Sequence, residues 1–283
     1  MITTCISTYN NLEYLKLAVH SVRKYSHFKD MPFIVYAENC TDGTNEWLED
    51  NSIEYGIEYY VENNEIANGI GGGMNFCADK VKTKYINFIH SDFFVSEDWD
   101  IALFDRIERT EVPTLLSSYR IEPAMFRPQI KEMNPIRPGT LEVPIDAFGA
   151  FYNNFDEDGF INFAQEFKQM NKDYEVRKAE GVSFMIEKKH WDYIGGNDPI
   201  FAPTSYEDMD LFLRMINEGF DFVLTSTSIV WHFGARGSHR LEENGGKSSN
   251  RQMTSEVKNI INFKNKWGGV PVHDELGMVC GVK

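Results

Sequence analysis

The chain has 283 residues, with 28 Lys+Arg against 43 Asp+Glu and a formal charge of −15. Hydrophobic residues make up 42% and aromatics 14%, enough to bury a large core, which excludes global disorder. The acid excess opposes nucleic-acid or anionic-membrane binding, and no apolar run reaches the roughly 20 residues of a membrane span. MITTCISTYN lacks a basic-then-apolar leader, and the four cysteines (Cys5, Cys40, Cys77, Cys280) form no CxxC pair. Reduced, buried thiols in a cytoplasmic protein are the expectation.

In chain order, Ile2 to Ser7 reads as a strand. A helix from Leu12 follows, with Leu15, Ala18, Val19, Val22 and Tyr25 at helical spacing and Asn10 or Asn11 able to cap it. Phe33 to Tyr36 is a second strand, TDGT opens a short helix carrying Trp47 and Leu48, and Ile57 to Val61 is a third strand. NGIGGGMN leads into a helix through Lys82. Tyr85 to Ile89 is a strand ending at His90-Ser91-Asp92, and Glu97 to Arg109 is helical. This alternation predicts an α/β domain with a mostly parallel central sheet flanked by helices. Ligands of such sheets bind beyond the carboxyl ends of the strands, where TYNN, ENCTDGT and HSD fall.

From Tyr119 to Glu180 the rhythm breaks. Six of the ten prolines lie there or just before it, which predicts long loops. Strand character returns over Gly181 to Ile186, then KKHWDYIGG forms a helix and turn and Tyr206 to Glu218 a helix. Phe220 to Leu224 and Ser228 to Trp231 form strands, and Thr254 to Trp267 a last helix. We read one domain: residues 1–118, an irregular insertion over 119–180, and a second half over 181–283.

Several clusters carry chemistry. Asp92 and His90 at a strand end offer oxygen and nitrogen ligands suited to Mn²⁺ or Mg²⁺, although Asp92 could equally cap a turn. In SYEDMDLFLRM, Glu207 and Asp208 open a helix. One of them is a candidate general base, while Ser205 to Asp208 also fits a capping box and Asp210–Arg214 an i,i+4 ion pair. His232 ends a strand ahead of a glycine-rich, basic stretch, where Arg236, His239 and Arg240 could reach phosphate. NGIGGGMN permits close backbone approach but is neither GxGxxG nor a P-loop. NFDEDGFINFAQ mimics a Ca²⁺ loop, but Gln165 stands where a bidentate Glu is needed. It reads as an acidic turn capping a helix from Phe160 to Met170.

Together these pieces resemble an inverting family 2 glycosyltransferase with the GT-A fold, over roughly Ile2 to Thr110 and Gly181 to Trp267. ISTYNNLEYLKLAVHSV is similar to the family's opening, VYAENCTDGT to its acidic strand end, and HSD stands at the DxD position. YEDMDL resembles the ED motif and VWHFGARGS the late histidine. The resemblance implies that Ser7, Thr8, Tyr9, Glu38, Asn68, Gly69, His90, Ser91 and Arg236 line a nucleotide-sugar site. It likewise implies Mn²⁺ or Mg²⁺ at Asp92, His232 and His90, with Asp208 as catalytic base supported by Glu207. Its expected partners are a nucleotide-diphosphate sugar, UDP- over GDP-, and a glycan or lipid-linked acceptor, with no nucleic acid. Acceptor choice is expected within 119–180, where Tyr119, Phe126, Phe148, Phe151 and Tyr152 could stack on sugars or merely pack. The altered HSD and the Met74 in place of a family arginine motivate the alternative of a non-catalytic GT-A binding module. A sugar-phosphate nucleotidyltransferase would need a glycine-rich, basic loop where TYNN stands.

Overall fold

The computed structural model describes residues 1–125, 127, 129–179, 183–234 and 250–283. In chain order the elements are β1 (Ile2–Thr8), α1 (Leu12–Tyr25), β2 (Phe33–Glu38), α2 (Thr44–Asn51), β3 (Ile57–Glu62), α3 (Gly69–Lys80), β4 (Tyr85–His90), β5 (Phe93–Val95) and α4 (Trp99–Ile107). There follow β6 (Thr114–Pro123), β7 (Asn134–Arg137), β8 (Thr140–Val143), α5 (Glu157–Met170), β9 (Glu175–Val176), β10 (Phe184–Glu187) and α6 (Lys188–Ile194). The chain closes with α7 (Glu207–Asn217), β11 (Asp221–His232), α8 (Asn250–Trp267), β12 (Pro271–His273) and β13 (Val279–Val282). Among the described residues no helix is long and apolar enough to cross a membrane.

The main sheet runs β3-β2-β1-β4-β10-β6-β11-β5. It is mostly parallel, as expected, but not purely so: β10 is antiparallel to β4 and β6, and β5 antiparallel to β11. Because β10 reverses between β4 and β6, strands β1, β2, β4, β6 and β11 all point the same way. Their carboxyl ends therefore share one edge. Buried apolar residues cover both faces, α1 and α4 on one and α3, α6, α7 and α8 on the other. A third, aromatic-rich cluster of Phe94, Tyr119, Phe148, Phe160, Trp231 and Phe233 underlies the 119–180 region.

Several local expectations shift. The two strands expected over 220–231 are one strand, β11, whose register slips between Thr225 and Ile229. Residues 119–123 continue β6, so proline at its end terminates a strand instead of marking a loop. Strand β10 starts at Phe184, and Gly181 and Val182 lie outside the described residues. Asn11 stands at the N-cap of α1, as expected, but its side chain makes no capping bond: Asp42 accepts the Leu12 amide at 2.9 Å, while Asn10 accepts from the Thr41 amide at 2.6 Å. The acidic turn does cap α5, Asp156 accepting from the Gly159 amide at 3.0 Å. All four cysteines are free thiols, but Cys280 is exposed.

The glycines of α3 set how closely the two halves meet. A Cβ on Gly73 would stand 2.0 Å from Ser7 Oγ, and one on Gly71 would stand 2.9 Å from Asn197 Cβ. Gly69 has φ +67° and packs on the Pro203 backbone, whose oxygen would lie 1.9 Å from an added Cβ and accepts the Ile70 amide at 3.0 Å. Asn75 and Asn197 close this seam with two reciprocal bonds of 2.8 Å. Gly69→Ala adds a left-handed-region penalty to a backbone clash and is expected to cost about 2–4 kcal/mol in urea unfolding. Gly281→Ala, with nothing within 4 Å of the new Cβ, is expected to change stability by under about 0.5 kcal/mol. Equal costs for the two substitutions would refute the packing account of Gly69.

Candidate active site at the carboxyl edge of the sheet

The ends of β4, β6 and β11 bring together side chains that are 110 or more residues apart in pairs with His232. Asp92, 5% exposed, lies 3.5 Å through Oδ2 from His232 Nε2. The other ring nitrogen, Nδ1, lies 2.8 Å from Glu122 Oε2, and Arg120 Nε stands 3.3 Å from the same oxygen. Phe93 stacks on the imidazole with centroids 4.7 Å apart and planes 19° apart. The ring is thus held on one face and both edges. Burial alone would lower the His232 pKa, but the Asp92 and Glu122 carboxylates outweigh it and push it up to about 9. Burial alone would raise Asp92, yet the charge and hydrogen bond of His232, with the His90 charge, hold it at about 2.

These donors fit a divalent cation in part. Nδ1 is engaged by a carboxylate, which leaves Nε2 as the ligand atom facing an ionised Asp92, the arrangement common around protein-bound metals. Among the described residues no group of three His, Cys, Asp or Glu side chains is arranged to hold a metal. Asp92 and His232 would therefore be the protein's ligands, and oxygens of a bound substrate or water would complete the shell. His90 ends β4 and acts on Asp92 through its charge. Glu122 lies in β6, within the stretch whose prolines predict loops. The alternation Arg120-Ile121-Glu122 is the strand signal that could have revealed it.

Beside this pair lie the residues expected to line a nucleotide. Ser7 pairs with His90 in the β1–β4 register. Thr8 Oγ1 and Asn11 Oδ1 are buried without hydrogen-bond partners among the described residues, while the Asn11 amide donates to Ser91 Oγ at 2.9 Å. Tyr9, half-buried, follows β1 directly. Glu38, 4% exposed, is consumed by the start of α3: Oε1 accepts the Asn68 amide at 2.7 Å and Asn64 Nδ2 at 2.9 Å, and Oε2 the Gly69 amide at 2.8 Å. This carboxylate at a helix N-terminus is well matched to the helix dipole. Arg236, His239 and Arg240 lie outside the described residues.

Glu207 and Asp208 open α7 after a turn in which Ser205 (φ 81°) and Tyr206 (φ 72°) both occupy the left-handed region. Two adjacent non-glycine residues there are costly and persist only where surroundings impose them. Helix α8 does so: Gln252 donates to Ser205 Oγ at 3.0 Å, and Asn259 Nδ2 donates to the carbonyls of Phe201 and Thr204 at 2.6 and 2.8 Å. The expected capping box does not form; Ser205 Oγ is turned to α8 and Asp208 Oδ1 accepts the Met209 amide at 2.8 Å. The ion pair does form, with Arg214 Nε donating to Asp210 Oδ2 at 2.9 Å. Fully buried Asp210 also accepts from Trp267 Nε1 at 2.8 Å and pairs with Lys266 at 2.6 Å. Burial and the adjacent Asp208 charge push Glu207 well above the usual carboxylate range, and its Oε2 has no hydrogen-bond partner among the described residues. Of the aromatics, Tyr119 and Phe148 pack in the core, whereas Tyr152 is 39% exposed beside Tyr14; Phe126 lies outside the described residues.

Because His232 titrates higher folded than unfolded, its contribution to stability is complete below about pH 6.5 and is lost as pH rises through about 9. The urea midpoint of metal-free protein, compared with that of His232→Phe, should show an advantage at pH 6 that shrinks by pH 9.5. A constant difference across that range would contradict the charged clamp.

The glycosyl transferase family 2 model matches residues 3–201. No curated protein matches the chain. Among solved structures, GalNAc-T7 with UDP, GalNAc and Mn²⁺ is similar at TM-score 0.59 and 16% identity, over 82% of this chain and 44% of that one. Two structures of TarS from S. aureus, one spanning its residues 1–349, match at TM-score 0.50 and 13% identity. They cover 82% and 83% of this chain and 60% and 37% of theirs. The chain thus spans less than two thirds of each of these structures, which share its fold. The chain belongs to glycosyl transferase family 2 and carries a GT-A glycosyltransferase domain.

Proposed function

We propose that this domain transfers a sugar, with inversion, from a nucleotide-diphosphate donor to a hydroxyl of a glycan or lipid-linked acceptor. The observation that carries the reading is the single sheet edge where an ionised Asp92 faces His232 and where Thr8 and Asn11 oxygens lack partners among the described residues. Buried polar atoms without partners are costly and suit a polar ligand that would satisfy them. Residues 1–118 would form the donor half, 119–180 would shape acceptor choice, and 181–283 would supply the base.

In this reading Ser7, Thr8, Tyr9 and Ser91 line the nucleoside, and Asn68 and Gly69 stay fixed near it through Glu38. Asp92 and His232, with His90 adjacent, would hold Mn²⁺ or Mg²⁺, which when bound supplies positive charge against the departing diphosphate. Asp208 takes the proton of the acceptor hydroxyl. The acceptor oxygen then bonds to the anomeric carbon as the bond from that carbon to the diphosphate oxygen breaks on the opposite face. The nucleoside diphosphate leaves with the bonding pair. Glu207, kept protonated by burial and by Asp208, can donate a hydrogen bond to either substrate. UDP is the first donor base to test, because the similar GalNAc-T7 structure was obtained with UDP and Mn²⁺.

Purified protein with UDP-sugars and Mn²⁺ should release UDP, and Asp208→Asn should lower that turnover by at least about 100-fold while leaving UDP affinity within about threefold. Near-wild-type turnover in Asp208→Asn would remove it as the base. Donor binding with no turnover in wild-type protein over a full sugar panel would favour the binding-module alternative.

A further inference from the structure

The geometry points to Glu122 as a positioning residue that fixes the His232 ring so that Nε2, and not Nδ1, is presented to a divalent cation at Asp92. The inference rests on the metal reading above and concerns a strand residue that has no part in the proposed transfer itself. A histidine binds metal through a nitrogen lone pair, so the other nitrogen must keep its hydrogen and needs an acceptor for it. Glu122 Oε2, 2.8 Å from Nδ1, is that acceptor. On the opposite side of the ring Nε2 looks toward Asp92 Oδ2 at 3.5 Å. Phe93, stacked 4.7 Å away, fixes the plane but not which edge faces Asp92, since a ring flipped by 180° would stack equally well. Selection of the edge falls to the carboxylate.

Glu122 is itself placed for this. It sits one residue before the end of β6, in register with Glu142 of β8, and the next strand over, β11, carries His232 at its own end. Arg120, two residues earlier, has Nε 3.3 Å from the same Oε2 and restrains the carboxylate. The order is therefore Arg120, Glu122, His232, Asp92, four side chains from three strand ends, of which only the last two would touch a cation.

Two substitutions separate orientation from charge. Glu122→Gln keeps an amide oxygen able to accept from Nδ1–H but removes the negative charge; Glu122→Leu keeps bulk and removes the acceptor. Mn²⁺ affinity in the presence of UDP, read from the electron paramagnetic resonance of free Mn²⁺, should fall by about 10- to 100-fold in Glu122→Leu and by less than about threefold in Glu122→Gln. In ring-¹⁵N-labelled, metal-free protein, the exchange-protected Nδ1–H resonance of His232 should persist in Glu122→Gln and vanish in Glu122→Leu. Asp92→Asn, which should abolish Mn²⁺ binding, identifies the site being read. Mn²⁺ affinity in Glu122→Leu within twofold of wild type overturns the proposal, as does an equal loss in both Glu122 variants, which would make the effect one of charge. If wild-type protein takes no Mn²⁺ with UDP, the metal reading falls and this inference falls with it. Wild-type binding left intact by Glu122→Leu removes this inference alone.

Discussion

The close contact between the start of α3 and the Pro203 backbone is the constraint on which the rest of the site depends. Only glycine permits it, since any side chain at 69 would occupy the space of the Pro203 carbonyl. Through this contact a helix that begins beyond the end of β3 touches the loop that leads to Glu207 and Asp208. Glu38 secures the other end of the link by accepting the Asn68 and Gly69 amides. The two halves of the chain are therefore not merely adjacent. They are registered to one another by backbone contact, which leaves less slack than side-chain packing allows.

An acidic chain here builds its site from carboxylates given different environments. Asp92 is held ionised by His232, whereas Glu207, buried beside a like charge, is driven toward its neutral form. Asp210 is paired to Arg214 and Lys266 and serves to fasten α7 to α8. Glu38 is absorbed in hydrogen bonds to a helix start. Four acidic side chains thus carry four separate duties, and local partners decide which. The strained turn at Ser205–Tyr206 is sustained by α8, so the last long helix matters to the acidic pair.

Much of the architecture was legible because it is local. Strand–helix alternation from Ile2 to Ile107, the glycine-rich start of α3 and the polar strand ends are visible in windows of ten residues. The mixed character of the sheet was not, because nothing in Phe184–Glu187 shows that it runs against β4. Glu122 was hidden for a related reason: proline-rich surroundings suggested loops, while pairing with β11, more than a hundred residues later, makes a strand of them. Glu38 reads as a lining residue of a nucleotide site, and its bonds to amides some thirty residues further on are invisible in the local sequence. The capping bonds failed where a distant side chain, Asp42 or Gln252, competed successfully for the group in question. Long-range pairing, not composition, decided each of these.

The central claim is that the edge formed by Thr8, Asn11, Asp92 and His232 takes a nucleoside diphosphate together with a divalent cation. Thermal unfolding with UDP, GDP or CMP, each with Mn²⁺, Mg²⁺ or EDTA, tests it most directly, because a ligand at 100 times its dissociation constant stabilises the folded state by about 2.7 kcal/mol. The account predicts a rise in melting temperature with one diphosphate that requires the cation and is absent in Asp92→Asn. No rise with any nucleotide, or a rise indifferent to both EDTA and Asp92→Asn, would contradict it.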